Sequence, residues 1–312
     1  MRFLSFAKVN LRLEVLRRRE DGFHELRTIL QTIDLADEIE LLPGRAGVEL
    51  EILPGKGGAG ALPAGETNLA WRAAAGFLAH WGRPGEGVRI RLAKRVPIGG
   101  GLGGGSANAA TVLLGMCALL GRRPGIAALT ELAAGLGSDV PFFLHGGTAL
   151  GTGRGELIEP LPDPEVPPLD VWLAVPPVAV ATAAVFSAHR IGLAPEVPGA
   201  ARVVPGRVPA GGEGGDLPAA WRALLGRNDL EPTCLGLYPA VRTVYNRLSE
   251  SGALAVRLSG SGSTIFALFA DRAAGQAAGD RLDNDTIWVP ARTLSRKEWR
   301  RRTGLEVLSG GI

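Results

Sequence analysis

Two cysteines in 312 residues cannot build a disulfide framework or a recognisable metal site. Cys117 falls within an apolar helical pattern and Cys234 stands alone, so both read as core thiols of a reducing, cytoplasmic compartment. An excess of either charge is also missing, since 34 Lys+Arg against 31 Asp+Glu leave a formal net charge of +3. That balance requires no nucleic-acid partner, yet an anionic small molecule meets no net repulsion. Lys297 with Arg300, Arg301 and Arg302 forms a basic run near the C-terminus, which reads as a solvated helix face. No apolar run of about 18 residues is present, and the opening Met1-Arg2-Phe3-Leu4-Ser5-Phe6 is broken at once by Lys8, Asn10 and Arg12. A signal peptide and a membrane-spanning helix are therefore not expected, and no internal repeat is visible.

Glycine is what the chain has in quantity, 45 residues. Six of them fill seven positions in Pro97-Ile98-Gly99-Gly100-Gly101-Leu102-Gly103-Gly104-Gly105-Ser106-Ala107. Without Cβ atoms such a run can turn with φ > 0 and aim several N–H groups at one anion. The helix formers that follow, through Leu120, should deliver the loop to a helix N-terminus whose free N–H groups and dipole favour phosphate. Ser106 is expected at the cap, its hydroxyl free for a phosphate oxygen or Mg²⁺. Gly99, Gly101 and Gly104 satisfy G-x-G-x-x-G, but no carboxylate lies near position 124, where a dinucleotide fingerprint needs one. The Walker A pattern fails too, because no Gly-Lys-Ser or Gly-Lys-Thr follows the loop.

With 46% hydrophobic and 21% charged residues the chain reads as a soluble globular protein large enough for two packed units. Val9–Leu16, Glu38–Leu41, Val48–Ile52 and Val88–Leu92 alternate apolar and polar residues, as in a half-exposed antiparallel sheet. Helices are expected from Thr67 or Asn68 to Trp81, around Ile126 to Leu136, and from Tyr238 to Ser251. Val171–Val175 reads as a buried strand. Ala255–Leu258 and Thr264–Phe269 read as strands flanking a Ser259–Ser263 turn. The class is α+β. The proline-rich stretch Gly155 to Pro168 suggests a boundary between units at 1–160 and 161–312, and 194–219 reads as a long mobile Pro/Gly-rich loop.

A phosphate cradle needs side chains that move a phosphoryl group, and two stand out. Lys8 lies at the expected start of the first strand, where an exposed structural lysine is the plain alternative. Asp139 lies in Gly137-Ser138-Asp139-Val140-Pro141-Phe142-Phe143, where a turn aspartate is the plain alternative. A carboxylate near a lysine could accept the proton of a substrate hydroxyl while the cation keeps it ionised.

The glycine run, Ala7-Lys8-Val9-Asn10-Leu11, Gly137 to Phe143 and the Ser259–Ser263 turn, in that order, resemble the galactokinase, homoserine kinase, mevalonate kinase and phosphomevalonate kinase (GHMP kinase) superfamily. Arg18-Arg19-Glu20-Asp21-Gly22-Phe23-His24-Glu25-Leu26 and Asn228-Asp229-Leu230-Glu231-Pro232 make the pattern similar to its diphosphocytidyl-methylerythritol branch. The resemblance implies a two-domain GHMP kinase fold, with a ribosomal protein S5 domain 2-like N-terminal domain and a ferredoxin-like C-terminal domain. It implies transfer of the γ-phosphate of ATP, with Mg²⁺, to the 2-hydroxyl of a cytidyl diphosphate substrate. Lys8 and Asp139 would be the catalytic pair, Pro97, Ile98, Gly99, Gly100, Gly101, Leu102, Gly103, Gly104, Gly105, Ser106 and Ala107 would wrap the ATP phosphates, and Ser106 would lie near Mg²⁺. Phe23, His24 and Phe186 would hold the cytosine, with Asn10 and Thr182 as further substrate contacts. The chain departs from the family in having Phe23 where Tyr is common and Ala107 where a second serine is frequent. A homoserine or mevalonate kinase would have no use for Phe23-His24, a sensor would not need Lys8 and Asp139, and an NAD enzyme would need the missing carboxylate.

Overall fold

A computed structural model of the chain describes residues 1–54, 62–189 and 217–305. Its first element pair is a long antiparallel hairpin, β1 (Arg2–Arg18) and β2 (His24–Gly44). Both strands run far beyond the alternating segments, because buried polar residues such as Thr28, Gln31 and Thr32 interrupt the apolar signal. Lys8 therefore lies in the middle of β1 rather than at its start. The sheet continues through β3 (Gly47–Leu53), β4 (Gly87–Ala93), β5 (Thr148–Gly153) and β6 (Leu157–Pro160), in the order β3-β4-β2-β5-β6, with β1 on β2.

The expectation of a half-exposed antiparallel sheet needs two corrections. β3 pairs parallel with β4, which their connection through α1 (Leu69–Trp81) permits. Residues 5–13 of β1 are buried throughout, because the second half of the chain covers the face that alternation had assigned to water. α1 starts where expected, its first turn capped by Asn68, whose side chain accepts from the Ala70 N–H at 2.9 Å. α2 (Gly104–Leu120) is buried at every residue from Ala107 to Cys117 and packs against β1 and β2 as the central helix of the first layer. α3 (Ile126–Leu136) matches its expected span, and a 3₁₀ turn (Pro141–Leu144) follows it.

The second half contains β7 (Asp170–Val175), α4 (Thr182–Ala188), α5 (Ala219–Leu224), α6 (Glu231–Leu237) and α7 (Pro239–Ser249). It continues with β8 (Ala255–Leu258), β9 (Ile265–Leu268), α8 (Arg272–Gly279) and β10 (Ile287–Arg292). The sheet order β10-β7-β9-β8, antiparallel throughout, is the ferredoxin-like arrangement. Of the loop expected at 194–219, residues 194–216 lie outside the described residues; Leu217 is buried and Ala219 opens α5. α9 (Arg296–Thr303) returns to the first half and buries Trp299 in its core. The basic run lies on this helix, with Arg302 over the Phe6 ring at 5.2 Å.

The halves are stitched together along β1. Gly226 N–H donates to Leu11 at 2.9 Å, Leu13 N–H to Arg227 at 3.0 Å, and Asp229 N–H to Leu13 at 2.9 Å. One apolar cluster spans the junction, joining Val9, Leu11 and Leu102 to Leu173, Trp221 and Phe266. Among the described residues no helix is long and apolar enough to cross a membrane.

Candidate active site

The glycine run is built around three left-handed residues, Gly99 (φ +74°), Gly101 (φ +77°) and Gly103 (φ +70°), a conformation that L side chains resist. Gly103 is the N-cap of α2, so the helix begins earlier than expected and Ser106 is its third residue rather than its cap. The N–H groups of Gly104, Gly105 and Ser106 consequently point out of the first turn with no intrahelical acceptor. Among the described residues the Ser106 hydroxyl has no protein partner. A second demand on the glycines comes from the Ser259–Ser263 turn. A Cβ on Gly101 would stand 2.2 Å from the Ser259 carbonyl oxygen, and one on Gly100 would stand 2.4 Å from Thr264 Oγ1. The loop is glycine-rich partly so that the two halves can close on each other.

Below that junction Lys8 is 3% exposed. Its ammonium donates to Asn10 Oδ1 at 2.6 Å and to the Gly101 carbonyl at 2.9 Å, and it faces Asp139 Oδ2 at 3.4 Å. The structure thus brings Lys8 and Asp139 together. Asp139 lies in the turn before the 3₁₀ segment, and its side chain keeps 38% of its exposure. Asn10 is fixed in turn by donating to Thr28 Oγ1 at 2.9 Å. Gly101 therefore accepts from both Lys8 and, at 3.0 Å, the Ser259 hydroxyl, which fixes the loop against both halves.

Behind the loop lies a buried ion pair that the sequence reading missed. Asp37 Oδ1 accepts from Arg95 N–H at 2.7 Å and Val96 N–H at 2.8 Å, just before Pro97. Asp37 Oδ2 accepts from the Lys94 ammonium and, at 2.9 Å, from Asn108 of α2. A Cβ on Gly104 would lie 3.1 Å from Lys94 Nζ, which places this cation under the first turn of α2. One carboxylate thus holds both the entry to the loop and the helix that leaves it.

Lys8, Asn10 and Asp139 open into a cavity of about 810 Å³ that also contains Phe23, His24, Thr182 and Phe186. The His24 and Phe186 rings are in contact, with centroids 5.2 Å apart and planes 30° from parallel. A base cannot sit between those two rings; His24 lies beside Phe186 and leaves its other face for stacking. His24 is held below the usual imidazole range, by burial first and then by His189 and Arg18. Its ring is therefore neutral near pH 7, with one nitrogen donating and the other accepting. Thr182 Oγ1 lies 2.9 Å from Ser261 Oγ, placing that hydroxyl pair on the second-half wall. Sequence reasoning missed Arg154, Ser261 and His189, which line the same cavity.

Among the described residues no three His, Cys, Asp or Glu side chains cluster to hold a metal. The donors present suit Mg²⁺ carried on phosphate oxygens and completed by one or two protein oxygens, not a protein-enclosed ion.

A glycine loop at a helix N-terminus at one end and a cavity of about 810 Å³ at the other are a geometry that suits a small-molecule phosphotransferase. Comparison with known proteins agrees. The GHMP kinases N terminal domain matches residues 68–147 and the GHMP kinases C terminal domain residues 216–286. A 4-diphosphocytidyl-2-C-methyl-D-erythritol kinase from Pelotomaculum thermopropionicum is 42% identical over 294 residues, covering 94% of this chain and 97% of that protein. One from Geobacter metallireducens is 39% identical over 290 residues, covering 90% and 94%. The crystal structure of a 4-(cytidine 5'-diphospho)-2C-methyl-D-erythritol kinase superposes with a TM-score of 0.75 at 36% identity, covering 94% of this chain and 99% of that one. A homoserine kinase from Cytophaga hutchinsonii shares the fold, with a TM-score of 0.65 at 23% identity over 94% of this chain and 95% of its own. The chain belongs to the 4-diphosphocytidyl-2-C-methyl-D-erythritol kinase family, whose members are ATP-dependent kinases.

Proposed function

We propose that Asp139 and Lys8 carry the reaction of this enzyme, the transfer of the γ-phosphoryl group of ATP to the 2-hydroxyl of 4-diphosphocytidyl-2-C-methyl-D-erythritol in the non-mevalonate isoprenoid pathway. The observation that supports it is the position of one buried ammonium, which bonds the glycine loop at Gly101 and faces Asp139 at 3.4 Å. Asp139 accepts the hydroxyl proton as the new O–P bond forms and the bond from the γ-phosphorus to the bridging oxygen breaks, releasing ADP. Lys8 orients Asp139 across their ion pair. Pro97 to Ala107 hold the ATP phosphates on the free N–H groups of α2. The Ser106 hydroxyl, together with the ATP phosphates, would hold Mg²⁺, which would supply charge neutralisation for the group in transfer.

At the far end Phe23 and Phe186 stack on the cytosine, His24 reads its edge, and Asn10 and Thr182 contact the rest of the substrate. Two buried free thiols, pushed up to about 12 at Cys117 and about 11 at Cys234 by desolvation, are in keeping with a reducing cytoplasm. The test is a product assay by phosphorus NMR with ATP, Mg²⁺ and either the cytidyl substrate or its uridyl analogue. A new phosphomonoester resonance is expected from the first, and a much lower kcat/KM for the second, whose reversed donor and acceptor pattern leaves buried groups unpaired. Equal values would remove the cytosine reading.

A further inference from the structure

Two hairpin tips meet at the cytosine end of the cavity. One is the β1–β2 tip, where the Phe23 N–H donates to Asp21 at 3.1 Å and the Arg19 N–H donates to the Phe23 carbonyl at 2.8 Å. This fixes the Phe23 backbone, but the residue is 51% exposed and belongs to no core cluster. The other is the β5–β6 tip, where Gly153 (φ +69°) and Gly155 (φ +105°) flank Arg154. Gly153 pairs in register with Leu26, so this tip is fixed to β2 close to His24. Glu156 sets the turn by accepting from the Arg154 backbone N–H at 2.6 Å, and its carboxylate stands 3.5 Å from Arg154 Nε. The planar guanidinium is thereby aimed across the gap, with its carbon 4.9 Å from the centroid of the Phe23 ring. Arg154 also lines the cavity.

We propose that Arg154 is a positioning residue for the nucleobase of the acceptor. Its guanidinium stacks on one face of Phe23 and holds the ring upright, so that the opposite face is presented to a cytosine lying toward Phe186. An exposed aromatic ring otherwise samples several rotamers, and each must be given up on binding; a stacked cation removes that cost in advance. Arginine suits the task better than lysine because its flat delocalised cation covers a ring face. The missing tyrosine hydroxyl at position 23 makes the stack the main restraint on that ring. This inference rests on the reading of Phe23 as a wall of the cytosine site.

The test is a double-mutant cycle on Arg154→Ala and Phe23→Leu, read by calorimetric binding of CDP and by steady-state KM. Arg154→Ala is expected to weaken CDP binding and raise KM for the cytidyl substrate about 5- to 20-fold, with KM for ATP unchanged. In the Phe23→Leu background the same substitution should add less than about two-fold, because the ring it serves is gone. Arg154→Lys should recover only a minor part of the loss. Additive effects, full recovery by lysine, tighter CDP binding by Arg154→Ala, or an equal rise in KM for ATP would each overturn the stacking role. If Phe23→Leu alone leaves CDP binding unchanged, the failure lies in the assignment of the cytosine site itself.

Discussion

Lys94 and Asp37 form an ion pair sealed beneath the first turn of α2, with their side chains 8% and 0% exposed. Removing either charge strands the other in the interior, which typically costs about 3 to 5 kcal/mol, whereas replacing both with apolar groups of similar volume is often far less damaging. Asp37→Leu should therefore lower stability by about 3 kcal/mol or more in urea unfolding, and Asp37→Leu with Lys94→Met should recover part of it. Both variants should raise KM for ATP, because the segment entering the glycine loop loses its anchor at Arg95 and Val96. Wild-type stability in the single variant would contradict this account.

Asp139→Asn removes the proposed base with little change in shape. General-base catalysis typically contributes about 10²- to 10⁴-fold, so kcat should fall by at least about 10² while ATP affinity stays within a few-fold. Turnover within a few-fold of the parent would exclude the role.

Gly105 is the position at which to test the phosphate cradle. A side chain at Gly103 would violate φ +70° and press on Phe143 at 2.7 Å, so its substitution reports on folding. A Cβ on Gly105 meets only Leu69, at an ordinary 3.7 Å. Gly105→Leu should fill the space above the helix N-terminus and raise KM for ATP about ten-fold or more with Tm nearly unchanged, while Gly105→Ala stays close to the parent. Normal ATP binding by the leucine variant would place the phosphates elsewhere.

Phe186→Ala deletes a stacking face and also the ring against which His24 rests. Base stacking is worth about 1 to 3 kcal/mol, so KM for the cytidyl substrate should rise about 5- to 150-fold with KM for ATP little changed. An unaltered KM would take the base away from this wall.

Acid should weaken the fold through its histidines. His24, His145 and His189 are all held below the ordinary imidazole value, with burial the leading cause. Between those lowered values and about 6.5 the unfolded chain binds more protons than the folded one, so stability rises with pH there and is fully present above it. Asp229 and Glu231, raised by burial, contribute in the opposite sense, with stability fully present at low pH and declining as pH rises. Comparing His145→Gln with the parent separates the two: the difference in Tm between about pH 7.5 and pH 5.5 should narrow in the variant. An unchanged difference would show that His145 is not one of the acid-sensitive groups.

The glycine loop, α1, α3 and three strands of the second sheet, β7, β8 and β9, were legible because their signals are local. A glycine run, an Asn cap and a short alternating segment each act over a few residues. The partnership of Lys8 with Asp139 was legible only through the family resemblance, since it depends on β1 and the turn after α3 being placed on either side of α2. Asp37 resembled any acidic residue in an alternating strand. Its role depends on the β2–β4 register, which sets Glu38 opposite Ala93 and so brings Arg95 and Val96 to the carboxylate. Ser106 lies three residues further into α2 than expected because a glycine, not a serine, caps the helix. The burial of β1 on both faces was hidden for a different reason, namely that the covering element comes from the other half.

The two edges of β1 belong to different sheets' worth of structure, one bonded to β2 and the other to residues 226–229. Neither half can fray without stripping hydrogen bonds and apolar cover from a strand the other half needs. The chain is therefore one cooperative unit despite its two sheets, and heat should melt it in a single calorimetric transition whose van't Hoff and measured enthalpies agree. Damage far from the reacting atoms, in either sheet, is then felt as loss of the whole enzyme.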